Sequence, residues 1–162
     1  MRNRSQGFTL VELMVTIAVA AILLTIGVPS LVSMYEGFRT NSNVEKIHNV
    51  MAFARNQAIS YGATVNVCPF ASVSTCGTSA DWSGGIRVYI NSAGTDKELR
   101  AIDSFHSNDK VKGPSGTITF SPEGLSSGGT LIYCPGGKTA ESQSVDITTS
   151  GKISYGNDGN SC

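Results

Sequence analysis

The sequence predicts an α+β protein: a long N-terminal α-helix whose second half packs on a C-terminal antiparallel β-rich head. Three observations carry this. Residues 8–28 are an almost unbroken apolar run. From residue 30 to 61, apolar residues recur at three- and four-residue steps. Beyond Gly62 the period changes to short alternating runs punctuated by glycine, asparagine and serine.

The apolar run is interrupted by Thr9, Glu12, Thr16 and Thr25. At 1.5 Å per residue it matches the hydrocarbon thickness of a bilayer. Arg2 and Arg4 precede it, which places the N-terminus on the cytoplasmic side and exports everything after about residue 35. An ordinary secretory signal explains less, because the run continues past the small residues Ala18–Ala21 through Ile22–Val28 with no polar stretch before a cut. A plain anchor does not explain Glu12. A carboxylate near the centre of a membrane helix costs about 2.5–3.5 kcal/mol, less near the interface, and its retention calls for a partner.

The stretch "RSQGFTLVELMVTIAVAAILLTIGVP" resembles the N-terminus of type IV prepilins: a short basic leader ending in glycine, then phenylalanine, with glutamate at the fifth mature position. The resemblance implies cleavage between Gly7 and Phe8 by a membrane-embedded prepilin peptidase and N-methylation of Phe8. It also supplies the partner for Glu12, the N-terminal amine of a neighbouring subunit's Phe8. In a low-dielectric helix bundle that pair is far more favourable than either charge alone, so it sets register as well as cohesion.

Gly27 and Pro29 close the run, and a kink is expected at the proline. Beyond it Leu31, Met34, Tyr35 and Phe38, then Val44, Ile47, Met51, Ala54 and Ala58, keep helical spacing, broadened by Val50 and Phe53. One helix from Phe8 to Tyr61 is expected, ended by Gly62. His48 reads as a surface or groove residue. The organisation is therefore a leader (residues 1–7), a membrane and assembly helix (8–29), its amphipathic continuation (30–61) and a head (62–162).

In the head, strands are expected at residues 64–68, 86–91, 99–105, 116–121, 130–134, 144–149 and 152–155, with a tight hairpin turn at 149–153. One sheet face would bury Val65, Val67, Ile86, Val88, Ile102, Ile118, Phe120, Leu131, Ile132, Val145 and Ile147 against the helix, since a lone sheet leaves an apolar face wet. Four cysteines, Cys68, Cys76, Cys134 and Cys162, all lie in the part that would be exported. An even count there points to two disulfides in an oxidising compartment. Three pairings are open. Cys68–Cys76 is favoured because it closes a short polar loop, leaving Cys134–Cys162 to tie down the C-terminal end. No Cys-x-x-Cys pair supports zinc.

The head adds a second resemblance, to minor pilins and pseudopilins of the GspH/FimT/FimU group. It rests on "RNQAISYGATVNVCP", "DWSGGIRVYINSAG" and "ITFSPEGLSSGGTLIYCPG". The Trp-x-x-Gly stretch is Trp82-Ser83-Gly84-Gly85, and the Phe-x-Pro-x-Gly turn is Phe120-Ser121-Pro122-Glu123-Gly124. Their roles read as packing and turn formation. The resemblance implies a minor type IV pilin acting in or near a tip complex, or a type II secretion pseudopilin, with other minor pilins and the major pilin as partners.

No nucleophile–base set, metal cluster or phosphate loop stands out, so no catalysis and no cofactor are expected. Gly136-Gly137-Lys138 reads as a turn rather than a P-loop. Equal numbers of basic and acidic residues, 12 of each, demand no nucleic acid. Some FimT-type pilins bind DNA through a Gly-Arg-x-Arg motif. Here Gly151-Lys152-Ile153-Ser154 stands at the comparable place, and with Lys138 it leaves a weak electrostatic footprint for a DNA partner.

These readings predict that the mature protein begins at N-methylated Phe8. Intact-mass and N-terminal peptide mass spectrometry of the membrane-extracted protein checks it; an intact Met1, or a cut near Ala20, would overturn the prepilin reading.

Overall fold

The structure, a computed structural model, describes residues 8–72, 75–92 and 94–162. Among the described residues one α-helix, α1 (Leu10–Tyr61), precedes nine strands: β1 (Val65–Ser72), β2 (Thr75–Cys76), β3 (Ile86–Ser92), β4 (Thr95–Ile102), β5 (Lys110–Lys112), β6 (Ile118–Phe120), β7 (Gly129–Cys134), β8 (Gln143–Ile147) and β9 (Ile153–Tyr155). The chain divides into two compact units, Met1–Phe38 and Arg39–Cys162.

In the first unit α1 starts at Leu10, two residues later than the sequence reading placed it. Thr9 is the reason. Its Oγ1 accepts the Glu12 backbone N–H at 3.2 Å, which caps the helix and puts Glu12 at the third helical position. Around the apolar stretch the side chains are exposed on every side, from Phe8 through Val32. The hydroxyls within it turn back on the helix: Thr16 donates to the Leu13 carbonyl and Thr25 to that of Ile22. Self-satisfied hydroxyls of this kind suit a helix in lipid, where no water can take them. Pro29 lies inside the continuous helix.

In the second unit α1 buries Thr40, Asn43, Val44, Ile47, Val50, Met51, Ala54 and Ala58, the three- and four-residue steps of one face. The small Ala54 and Ala58 let the backbone approach the strands closely. The helix ends in a Schellman motif: Gly62 adopts φ +60°, Ala63 N–H reaches Ala58 O and Gly62 N–H reaches Ile59 O.

Two antiparallel sheets meet this face, where the sequence reading anticipated one. The five-stranded sheet runs β4-β3-β1, and β2 and β6 both pair with β1. The four-stranded sheet runs β5-β7-β8-β9. A single core joins them, with Ile47 and Met51 of the helix, Val65, Val67, Ile86 and Val88 of one sheet, and Leu131 and Val145 of the other. Leu131 and Ile132 are consecutive in β7 and cannot share a face; Leu131 is buried and Ile132 only half-buried. Ile102 is likewise only partly buried. Strand β4 begins at Thr95 rather than at residue 99, and β2 and β5 had no counterpart in the sequence reading. Residues Thr95–Glu98 are exposed edge residues, and two or three residues are too few to show a period.

The two resemblance motifs are structural anchors. Trp82 is fully buried and donates its indole N–H to Pro114 O at 3.0 Å. The Phe120–Gly124 segment makes a turn closed by Gly124 N–H to Ser121 O, with proline at the second position and glycine at the fourth. Arg55 on α1 donates to Gly124 O at 3.1 Å. The β8–β9 hairpin presses Gly151 onto the same carbonyl: a Cβ there would lie 1.8 Å from Gly124 O, at a φ of +78°. Gly151→Ala is therefore expected to lower stability by at least about 2 kcal/mol through left-handed strain and overlap. Thermal unfolding of the full chain in detergent, with Ser150→Ala as the neighbour control, checks it.

Candidate functional site

Of the residues the sequence singles out near the N-terminus, Gly7 lies outside the described residues. Phe8 is 82% exposed, just ahead of the Thr9 cap. The Glu12 carboxylate sits exposed in the first helical turn, where the helix dipole favours a negative charge. A Phe8 amine released by cleavage would place a cation at the same positive helix end. The dipole thus favours Glu12 and disfavours the amine, and a carboxylate from another helix is the group that would relieve the amine. The surrounding helix, Leu10–Tyr61, contains a stretch long and apolar enough to cross a bilayer.

In the head the structure joins Cys68 to Cys76 and Cys134 to Cys162, with Cα separations of 5.6 and 6.4 Å. The first fastens β2 to β1. The second ties the chain end to β7, and closure of that longer loop is worth on the order of 3 kcal/mol. Lys138 pairs with Glu141 at 3.5 Å in the connection between β7 and β8, whereas Lys152 lies in the β8–β9 turn at the other end of β8. The five residues of β8 separate the two lysines by roughly 16 Å, so they do not form one patch.

Sequence reasoning missed a buried polar network. The Asp109 side chain is fully buried and accepts three hydrogen bonds in a network of four. Arg39 of α1 reaches Oδ1 at 3.0 Å, the Gly136 N–H reaches Oδ1 at 2.9 Å, and the Tyr133 hydroxyl donates to Oδ2. The fourth bond is one step out, where Asn43 Nδ2 donates to the Tyr133 oxygen at 2.8 Å. Burial and the hydrogen bond to the Asp109 carboxylate push the Tyr133 phenol up to about 12. The network fixes which helical turn of α1 meets β7. A long arginine at the start of a helix's buried face was the available signal. A second missed cluster holds the β3–β4 hairpin: the buried Arg87 pairs with Glu98 at 3.0 Å and Asp96 at 3.6 Å. Among the described residues no three His, Cys, Asp or Glu side chains converge as a metal site would need.

A helix with an uncovered apolar surface, joined to a disulfide-fastened two-sheet head, defines a type IV pilin-like protein. The family model described as type II transport protein GspH matches residues 43–151, and the prokaryotic N-terminal methylation motif matches residues 2–28. The chain belongs to the GspH family of minor pilins and pseudopilins. No curated protein matches it. The fold is similar to the type IV minor pilin FimU of Pseudomonas aeruginosa, at a TM-score of 0.62 and 20% identity over 76% of this chain and 92% of that one. A second crystal form of FimU gives 0.60 and 20%, over 75% and 96%. The minor pseudopilin EpsH of the Vibrio cholerae type 2 secretion system gives 0.57 and 10%, over 72% and 95%.

Breaking the buried network has two expected results. Asp109→Asn leaves Arg39 facing a neutral amide and should cost about 3 kcal/mol. Tyr133→Phe should cost about 1–2 kcal/mol near neutrality by removing the hydroxyl that bonds Asp109 Oδ2 and Asn43 Nδ2. It should also remove an alkaline dependence. In the wild type the folded phenol stays protonated up to about 12 while the unfolded one releases its proton near 10.0. The contribution is complete below pH 10 and is lost as pH rises through that window. Chemical denaturation of wild type and Y133F between pH 8 and 12 checks the difference in slope.

Proposed function

We propose that the chain is a minor type IV pilin that helps prime pilus assembly, in or near the tip complex. The observation that carries this reading is the two-sheet head's greater likeness to FimU than to EpsH, in both TM-score and identity, beneath a matching N-terminal methylation motif. On this reading a prepilin peptidase removes residues 1–7 and the chain waits in the inner membrane, single-pass, with its N-terminus cytoplasmic and its head periplasmic. The apolar surface of residues 8–29 then packs laterally on the helices of other minor pilins and the major pilin. Glu12 takes the Phe8 amine of a neighbour, and register follows because any other axial offset leaves both charges unpaired in a dry bundle. The protein is structural and no catalysis is assigned to it.

A second reading, a pseudopilin of a type II secretion system, is favoured by the family model's own description and by the likeness to EpsH. A third, DNA binding by a FimT-type pilin, draws little support from two lysines at opposite ends of β8, one of them paired with Glu141.

Deleting the gene separates the readings. Loss of surface pili and twitching, with enzyme secretion intact, is the result expected; loss of secretion with pili intact would establish the pseudopilin. In the complemented strain Glu12→Ala should leave the protein in the membrane fraction and reduce piliation at least about tenfold, the effect of ~1.4 kcal/mol lost at a buried pair. Normal piliation with E12A would overturn the pairing.

A further inference from the structure

The head carries two charged grooves, one on each flank of α1. One is a cavity of about 440 Å³ whose lining includes Glu45 of α1, Asp158 of the C-terminal tail and the ring of Tyr155, and no basic side chain. The other, about 230 Å³, lies between α1 and edge strand β4. It is lined by Lys46, Asn49, Val50, Arg100 and Ile102, and by no acid. Glu45 and Lys46 are consecutive, so they point about 100° apart around the helix, one to each flank. Register explains Arg100: it pairs with Val88 in the β3–β4 ladder, so it shares the sheet face that packs towards the helix. Its guanidinium lies over the Phe53 ring at 4.8 Å, while Lys46 donates to Asn43 at 3.3 Å. All four charged residues are exposed, and none forms an ion pair among the described residues.

The geometry points to a second copy of this chain as the occupant: the acidic groove of one head, Glu45 and Asp158, receives Lys46 and Arg100 of the next. Each groove's lining lacks the charge that the other offers, and among the described residues of its own head neither is paired with it. The contact is heterologous, so it does not close on itself. The acidic groove uses α1 residues 41, 44 and 45, and the basic one residues 46, 49 and 50. Two copies with parallel helices would thus be staggered by about five residues, or ~8 Å along the helix. Exposed ion pairs are individually weak; anchoring in one bilayer raises the effective concentration enough for them to matter. This part rests on the membrane-anchored reading above.

The test uses two full-length copies, differently tagged and expressed together. One carries Glu45→Gln and Asp158→Asn; the other carries Lys46→Gln and Arg100→Gln. The substituted residues are exposed, and each copy keeps one intact groove. Isolated membranes are treated with a carbodiimide, which joins a carboxylate to an amine in contact. A linked peptide between Lys46 of the first copy and Glu45 or Asp158 of the second is intermolecular by construction. The expected result is that link, with mixed dimer exceeding the dimer of either copy alone about fivefold. The excess should vanish near 1 M salt, where screening shrinks to about 3 Å. Equal dimer in all three preparations, no dimer in the mixture, or links from Lys46 to a different protein would overturn the pairing. Recovery of the chain in the soluble fraction would instead overturn the anchored reading, and the same cross-linking run on that fraction would still decide whether the grooves meet.

Discussion

One helix must satisfy two environments, and the rest of the chain is arranged around that constraint. Its apolar residues follow two rules in succession. Up to about Val32 they surround the helix, with exposed side chains on every side. From Thr40 they keep to a single stripe that two sheets cover. A helix that is apolar all round has no inward face and needs lipid or other helices; a striped one needs a core. The change of rule makes the N-terminal part available for assembly without drawing on the packing that holds the head together.

A striped helix on a β surface can slide or rotate, because dispersion and hydrophobic burial are weakly directional. Directional bonds remove that freedom here. Arg39 and Asn43 are four residues apart on α1, and both engage the Asp109–Tyr133 pair on the β side. A shift by one helical turn would take Arg39 away from a fully buried carboxylate and Asn43 away from a buried phenol, leaving the Asp109 charge without its counter-ion. At the other end Arg55 fastens the helix to the Gly124 turn. Hydrophobic burial supplies most of the cohesion, and the polar contacts at the two ends choose the register.

The sequence made the parts with a period plain. The all-round apolar run, the striped helix, the Gly62 stop and the alternating strands of Val65, Val67, Ile86 and Val88 are local patterns, each written within a few residues. The division into two sheets was not legible, because it depends on which edges pair: β1 takes β3 on one side and both β2 and β6 on the other, a long-range choice. Asp109 was hidden for a similar reason. In sequence it is one of several scattered acids; only the fold brings Arg39 and Tyr133, 70 and 24 residues away, onto its two oxygens. The glycine of the C-terminal hairpin shows the same limit from the other side. Gly151 drew notice for the base that follows it, whereas the structure gives the glycine itself a steric task against Gly124.

The charges of the head divide into two kinds, and the division bears on how a weak contact could specify order. Asp109 and Arg87 are buried and paired within the head, so they are committed to the fold. Glu45, Asp158, Lys46 and Arg100 are exposed and flank the helix in two groups of opposite sign. Apolar helix surfaces would bring subunits together but discriminate poorly between neighbouring offsets, since one leucine serves nearly as well as the next. A pair of charges discriminates by sign, and like charges brought together repel. Two charged grooves separated along the helix would therefore select one offset among the many that helix packing allows, adding little to cohesion and much to order. Glu12 and the Phe8 amine would impose the same kind of selection at the dry end of the helix, where an unpaired charge costs far more. On this view the register of assembly is set twice, by a strong pair in a low dielectric and by weaker pairs in water.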